Sequence, residues 1–259
     1  MSTVPVPTSL PARERPREFE LCGESLQACI AASEGGADRI ELCTALGVGG
    51  VTPPTSLLRA ALELTTLPVH VLIRPRNGEF RYSPAEFSLL LTQVEDALGH
   101  GAAGVVTGVL DVEGRIDLDR IRKVMVAANG RPVTFHRAFD LTPDLSQSLE
   151  QVIDLGCARV LTSGGAADVM AGLQALRGLT SQAAGRIRIA AGGGVRLENA
   201  ASLLAVHGLD LHGSLRTIEP PEGHMGAVHP LTTQFGQAYR VLAENVCAMT
   251  ELVHSADPR

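Results

Sequence analysis

The tripeptide Glu-Leu-Cys occurs twice near the start of this sequence, as Glu20-Leu21-Cys22 and as Glu41-Leu42-Cys43. Thiolates are soft ligands that favour Cu(I) or Zn(II) over hard cations, so two thiols brought together could form a low-coordinate Cu(I) site. Spacing adds nothing to this: the chain has no Cys-x-x-Cys, no zinc-finger cluster of Cys and His, and no His-x-x-x-His. The default for a lone buried Cys is a small apolar residue, and Cys29, Cys157 and Cys247 read as core positions of that kind.

Three further strings carry chemistry. Arg74-Pro75-Arg76 sets two guanidiniums before a turn, Asn77-Gly78, a pattern suited to a carboxylate or phosphate. His136-Arg137-Ala138-Phe139-Asp140 gathers an imidazole, a guanidinium and a carboxylate. His136 is the leading general acid or base because histidine titrates near neutrality. Glu20, Glu41 and Asp140 are further candidates for proton transfer, and Arg137 for substrate binding. Gly192-Gly193-Gly194 precedes a segment of helical composition, where glycine lets backbone N–H groups approach an anion at a helix N-terminus. His224, Met225 and His229 could add soft or borderline metal ligands from a long connection.

These residues need elements to position them, and the chain supplies a regular rhythm. Eight short runs of strand formers alternate with helical segments: Phe19–Cys22, Arg39–Cys43, Val69–Ile73, Gly104–Thr107, Pro132–His136, Arg159–Thr162, Ile187–Ala190 and Leu209–His212. The helical segments include Ser25–Glu34, Pro84–Gly99, Leu118–Ala128, Leu145–Leu155, Val169–Ala184, Leu197–Val206 and one from about Gln234 to Val253. Eight βα repeats without an internal linker predict a single-domain (β/α)8 TIM barrel over 19–254, after a Pro-containing tail at 1–18.

Strand alternation then assigns faces. With Phe19, Leu21, Ile40, Leu42, Val69, Val71, Ile73, Val133, Phe135, Leu209 and Leu211 against the helices, the residues directed inward are Glu20, Cys22, Glu41, Cys43, His70, Leu72, Arg74, Thr134, His136, Asp210 and His212. Barrel interiors are mostly packed with branched apolar residues, and this one is polar instead. Buried charges must be compensated, so Glu20, Glu41, Arg74 and Arg76 are expected to pair with one another or with a ligand.

Composition narrows the class. The 259 residues include 22 Lys plus Arg against 28 Asp plus Glu, a net charge of −6 without a basic block, which argues against nucleic-acid or acidic-membrane binding. No apolar run approaches the roughly 20 residues of a membrane span. Five widely spaced cysteines in a chain of this length read as reduced thiols in a cytoplasmic protein.

Several strings together resemble one known family. Gly36-Ala37-Asp38-Arg39-Ile40-Glu41-Leu42-Cys43, Ile73-Arg74-Pro75-Arg76, Val133-Thr134-Phe135-His136-Arg137-Ala138-Phe139-Asp140, Arg159-Val160-Leu161-Thr162-Ser163-Gly164 and Gly192-Gly193-Gly194-Val195 are similar to the CutC copper-homeostasis family over roughly 19–217. The resemblance implies a cytoplasmic TIM barrel, self-associating as a homodimer or homotetramer, that handles copper. It also implies Cu(I) ligation by the cysteines ending strands one and two, here Cys22 and Cys43. The chain departs from the family pattern at Arg76-Asn77-Gly78-Glu79-Phe80 and at Gly213-Ser214-Leu215. A second expectation, from the residues alone, is an enzyme acting on a small anionic metabolite at the barrel mouth. In it Arg74, Arg76, Arg137 and Gly192–Gly194 hold the anion.

Overall fold

The structure, a computed structural model, describes residues 16–219 and 238–256. Its strands are β1 (Phe19–Gly23), β2 (Arg39–Leu42), β3 (Val69–Leu72), β4 (Gly104–Thr107), β5 (Val133–Phe135), β6 (Arg159–Thr162), β7 (Arg188–Ala191) and β8 (Leu209–Gly213). All pair in parallel with their sequence neighbours, and β8 closes on β1, giving the eight-stranded barrel expected. The helices are α1 (Leu26–Glu34), α2 (Thr55–Leu64), α3 (Pro84–Gly99), α4 (Leu118–Ala128), α5 (Leu145–Asp154), α6 (Leu173–Ala183), α7 (Leu197–Leu204) and α8 (Ala243–Ser255).

Local chemistry sets the helix starts. Ser25, Asp117 and Asp144 each accept a backbone N–H of the first turn of α1, α4 and α5, and Ser83 and Glu86 form a reciprocal capping box on α3. The helix expected from Val169 begins at Leu173, because the Asp168 carboxylate accepts the Met170 and Ala171 N–H groups and holds a turn there. The last helix begins at Ala243, not near Gln234. Tyr239–Val241 forms β10, antiparallel to β9 (Arg216–Ile218), with the Arg216 guanidinium 4.2 Å from the Tyr239 ring centre. The Gln27 amide ties β10 to α1 through both the N–H and C=O of Val241.

The alternation read from the sequence describes the barrel well. Phe19, Leu21, Ile40, Leu42, Val69, Val71, Ile73, Val133, Phe135, Leu209 and Leu211 join one continuous apolar core with the helices. Inside the barrel, Cys22, Cys43, Leu72 and Val106 form a small separate apolar group, with Leu46 against it. Cys29 and Cys157 are buried as expected, whereas Cys247 is exposed on α8, where its thiol reaches Glu251.

Space for inward imidazoles comes from glycine. A Cβ on Gly104 would lie 2.7 Å from His70, and one on Gly108 would lie 2.6 Å from His136. The rings occupy volume that a side chain on the neighbouring strand would otherwise fill.

The lower barrel is a buried ion network. Glu20 pairs with Arg39 at 3.0 Å and Arg159 at 3.7 Å, and Arg159 also pairs with Asp210 at 2.8 Å and with Glu18. Arg188 holds Asp210 at 2.6 Å and Glu18 at 3.3 Å. Glu18, placed in the tail by the sequence reading, is therefore part of this network, and Arg17 beside it donates to the Leu204 carbonyl at 2.7 Å. Removing one partner of such a network strands the others without compensation. Arg159→Leu should lower the unfolding free energy by about 3–5 kcal/mol in urea titrations. A loss below about 1 kcal/mol, the scale of an exposed pair, would show that Arg159 is not holding the barrel together.

Candidate metal and anion site

Above the ion network, the inward residues change from charged to thiol and imidazole. β1 carries Cys22 opposite Glu41 of β2, and β8 carries His212 opposite Glu20. The Cys22 and Cys43 sulfurs are 3.8 Å apart, and Cys22 Sγ is 3.7 Å from Glu41 Oε1. Ligand atoms of Cys22, Glu41 and His212 all lie within 4.8 Å of one another, and all three residues are buried.

Each proton has an assignable place. Burial alone would raise the Glu20 carboxyl, but the His212 hydrogen bond and the charges of Arg39 and Arg159 overcome it and keep Glu20 ionised. Ionised Glu20 can only accept, so His212 Nδ1 donates to it at 2.8 Å, leaving Nε2 for other partners. Burial pulls His212 down, but the Glu41 charge and hydrogen bonds to Cys22 and Glu20 more than reverse this, and its pKa lies well above the ordinary histidine value. Among the described residues, Glu41 has no arginine within ion-pair distance. Burial lifts it to about 7, with His212 offsetting only part of the rise, and its Oε2 has no hydrogen-bond partner. The hydrogen bond with Cys43, reinforced by burial, raises the Cys22 thiol well above its ordinary value.

Over this floor opens a cavity of about 430 Å³ at the C-terminal mouth of the barrel. Cys22, Glu41, Arg74, His136, Arg137, Gly193, Gly194 and His212 all line it. Of the residues expected at the site, five do not line it: Glu20 belongs to the ion network below, Cys43 is enclosed against Cys22, and Arg76, Asp140 and Gly192 take other positions. Arg76 points away, with Nε on Glu86 at 2.5 Å and the guanidinium stacked on Tyr82. Asp140 is enclosed: it accepts from the Ser163 and Gly165 N–H groups, the Thr162 hydroxyl and Arg137 Nε, which occupies its oxygens in shaping the loop after β6. Gly192 donates to the Thr162 carbonyl and packs beside Leu161 and His212.

The expected pairing of Arg74 and Arg76 with Glu20 and Glu41 also gives way. Glu20 takes Arg39, Arg159 and His212 instead, because their registers bring them level with it inside the barrel. Arg74 spends its N–H groups on the carbonyls of Val48, Gly50 and Gly78, between 2.7 and 2.9 Å, so its charge meets peptide dipoles and no carboxylate. His136 accepts the Ala138 N–H at Nδ1, which places the proton of the neutral ring on Nε2. Burial, with the Arg74 charge behind it, brings His136 down to about 3, so it is neutral at pH 7 rather than titrating there.

Several site residues were not singled out from the sequence. Arg39 follows from the alternation that turned Ile40 outward, Arg159 would follow from phasing the sixth strand in the same way, and His212 was already directed inward beside Cys22. Arg196, Arg216 and Tyr239 also line the cavity, placed by loops and by the β9–β10 hairpin, which periodicity does not reveal. His224, Met225 and His229 lie outside the described residues.

The family model for the CutC family matches residues 17–217. The chain belongs to the CutC family. CutC of Bacteroides thetaiotaomicron is 46% identical over 201 residues, 77% of this chain and 81% of that one. CutC of Chromobacterium violaceum is 45% identical over 199 residues, 76% of this chain and 81% of that protein. The crystal structure of CutC from Streptococcus agalactiae, assigned to copper homeostasis, shares 31% identity with a TM-score of 0.73, covering 76% of this chain and 98% of that one. Thiamine phosphate pyrophosphorylase from Pyrococcus furiosus superposes with a TM-score of 0.58 at 17% identity, covering 94% of this chain and 98% of its own, a likeness of fold alone. The match to the CutC family ends at β9, so β10 and α8 stand beyond it.

The neutral His136 of this CutC-family barrel has a consequence for acid stability. A histidine whose folded pKa is depressed contributes stability that is full above its unfolded value of 6.5 and is lost as pH falls toward its folded value of about 3. Lowering the pH from 7 to about 4.5 should cost the wild type roughly 2–3 kcal/mol more than it costs His136→Gln. Urea unfolding at both pH values checks this, and equal losses would contradict it.

Proposed function

We propose that this CutC-family protein binds Cu(I) through Cys22 and Cys43 and buffers or passes on the ion in the cytoplasm. The observation that carries the reading is the 3.8 Å approach of two buried thiols, Cys22 at the floor of an open cavity and Cys43 enclosed against it. Soft sulfur donors suit Cu(I), and the buried interior shields them from competing hard ligands. His212 Nε2, once it gives up its proton, and Glu41 stand beside Cys22 as further donors for the ion.

Cu(I) is cargo in this reading, and its entry is proton-linked. The Cys22 thiol is held protonated by Cys43 and burial, so binding must release protons and affinity must rise with pH. The family match also supports self-association as a homodimer or homotetramer, which sedimentation equilibrium of the reduced protein would report. A second reading, an enzyme acting on a small anionic metabolite, is favoured by one specific observation: a two-thiol carrier has no need of a cavity lined by arginines.

Anaerobic competition of the reduced protein against a Cu(I) chelator tests the first reading. Replacing both Cys22 and Cys43 by Ser should weaken Cu(I) binding by at least about 100-fold, and wild-type affinity should increase between pH 6 and pH 8. Unchanged affinity in the double variant would sink the proposal.

A further inference from the structure

The upper cavity carries features that neither the thiol floor nor the fold explains. Its lining holds four guanidiniums, from Arg74, Arg137, Arg196 and Arg216, against the single carboxylate of Glu41. This cationic concavity sits in a protein of net charge −6. Arg216 is compensated by Glu24 and Arg137 by Asp140, whereas Arg74 meets carbonyls and the Phe80 ring and, among the described residues, no carboxylate.

Two donors are left over at the same place. His136 is buried and lines the cavity, and its Nε2, the nitrogen that carries the proton, has no hydrogen-bond partner among the described residues. A buried donor without an acceptor is costly, and an acceptor arriving in the cavity recovers that cost. Arg137 donates Nε to Asp140 and Nη2 to Ser163, which leaves Nη1 against Gly193. A Cβ on Gly193 would lie 2.8 Å from that nitrogen. Gly193 and Gly194 have φ of 107° and 87°, and their N–H groups meet no acceptor among the described residues. They precede α7, whose N-terminus adds the favourable end of its dipole.

We propose that the cavity binds a small organic phosphate, its phosphoryl group held by Arg137 Nη1, His136 Nε2–H and the Gly193–Gly194 N–H groups, with Arg74 supplying uncompensated positive charge. The donors arrive from the ends of β3, β5 and β7, so they approach from several sides. That arrangement suits a tetrahedral dianion better than a planar carboxylate, and the loops after the seventh and eighth strands are where barrels commonly seat phosphate. The rest of the ligand extends toward Cys22, Glu41 and His212 at the floor, within the range of volumes that enclose small metabolites. This deepens the second reading above and is independent of copper.

Isothermal titration of the reduced, chelator-treated full chain with inorganic phosphate, glycerol 3-phosphate and malonate tests it. Glycerol 3-phosphate should bind. Arg137→Gln and Gly193→Ala should each weaken it at least about tenfold, the second by filling the cradle without changing charge. Circular dichroism would verify that both variants fold. Because the titrated protein is reduced and freed of copper, phosphate binding is read separately from Cu(I) affinity, so failure of the copper reading and failure of this one give different results. Inorganic phosphate binding with the same sensitivity to Arg137 and Gly193 also supports the cradle. No binding of either phosphate at millimolar concentration, equal binding by wild type and both variants, or tighter binding of malonate would overturn the proposal.

Discussion

A carboxylate buried at the barrel's centre, Glu20, meets Arg39, Arg159 and His212 at once. Desolvating one carboxylate in isolation would cost several kcal/mol and drive it neutral; three surrounding cations reverse that and keep it charged. Its charge then dictates what surrounds it. Arg39 and Arg159 are drawn into the interior with Glu18 and Asp210 as counter-ions, and His212 is fixed with Nδ1 downward and Nε2 toward Cys22. A network of this kind can be less stabilising than an apolar core of equal volume. What it provides is orientation: each inward side chain of the lower barrel has one arrangement that leaves no charge stranded.

The upper barrel works in the opposite sense. There the compensation is incomplete: Glu41 has no arginine, Arg74 has no carboxylate, and His136 has a buried donor with no acceptor. Groups that lack a counter-ion or an acceptor and face an open cavity are what a ligand site requires, because binding supplies the missing partners. Thiols at the floor and guanidiniums at the rim ask for different partners, a soft cation and an oxyanion, and the cavity is large enough for both ends to be used.

Much of the architecture was legible because a barrel strand has a period of two and each apolar run fixed its own phase. Phe19 and Leu21 against the helices were enough to send Glu20 and Cys22 inward, and the same reasoning turned His136 and His212 toward the mouth. Pairing was not legible. Arg74 and Arg76 looked like partners for Glu20 and Glu41, yet register places Arg39 directly opposite Glu20 while loop carbonyls claim Arg74 and Glu86 claims Arg76. The protonation of His136 depended on burial and on Arg74, and Asp140 was enclosed by a loop that only tertiary structure brings to it. The β9–β10 hairpin had no periodic signal long enough to separate three strand residues from the helix that follows.

The account rests most heavily on Cys22, at the cavity floor, acting as a pair with Cys43 enclosed against it. X-ray absorption at the copper edge of the reduced protein, loaded with stoichiometric Cu(I), addresses that pair directly. Sulfur should dominate the metal's nearest neighbours, and its contribution should fall by about half in Cys43→Ser, the signature of two thiolates sharing one ion. A spectrum built from nitrogen and oxygen alone, or one that Cys43→Ser leaves unchanged, would contradict the account.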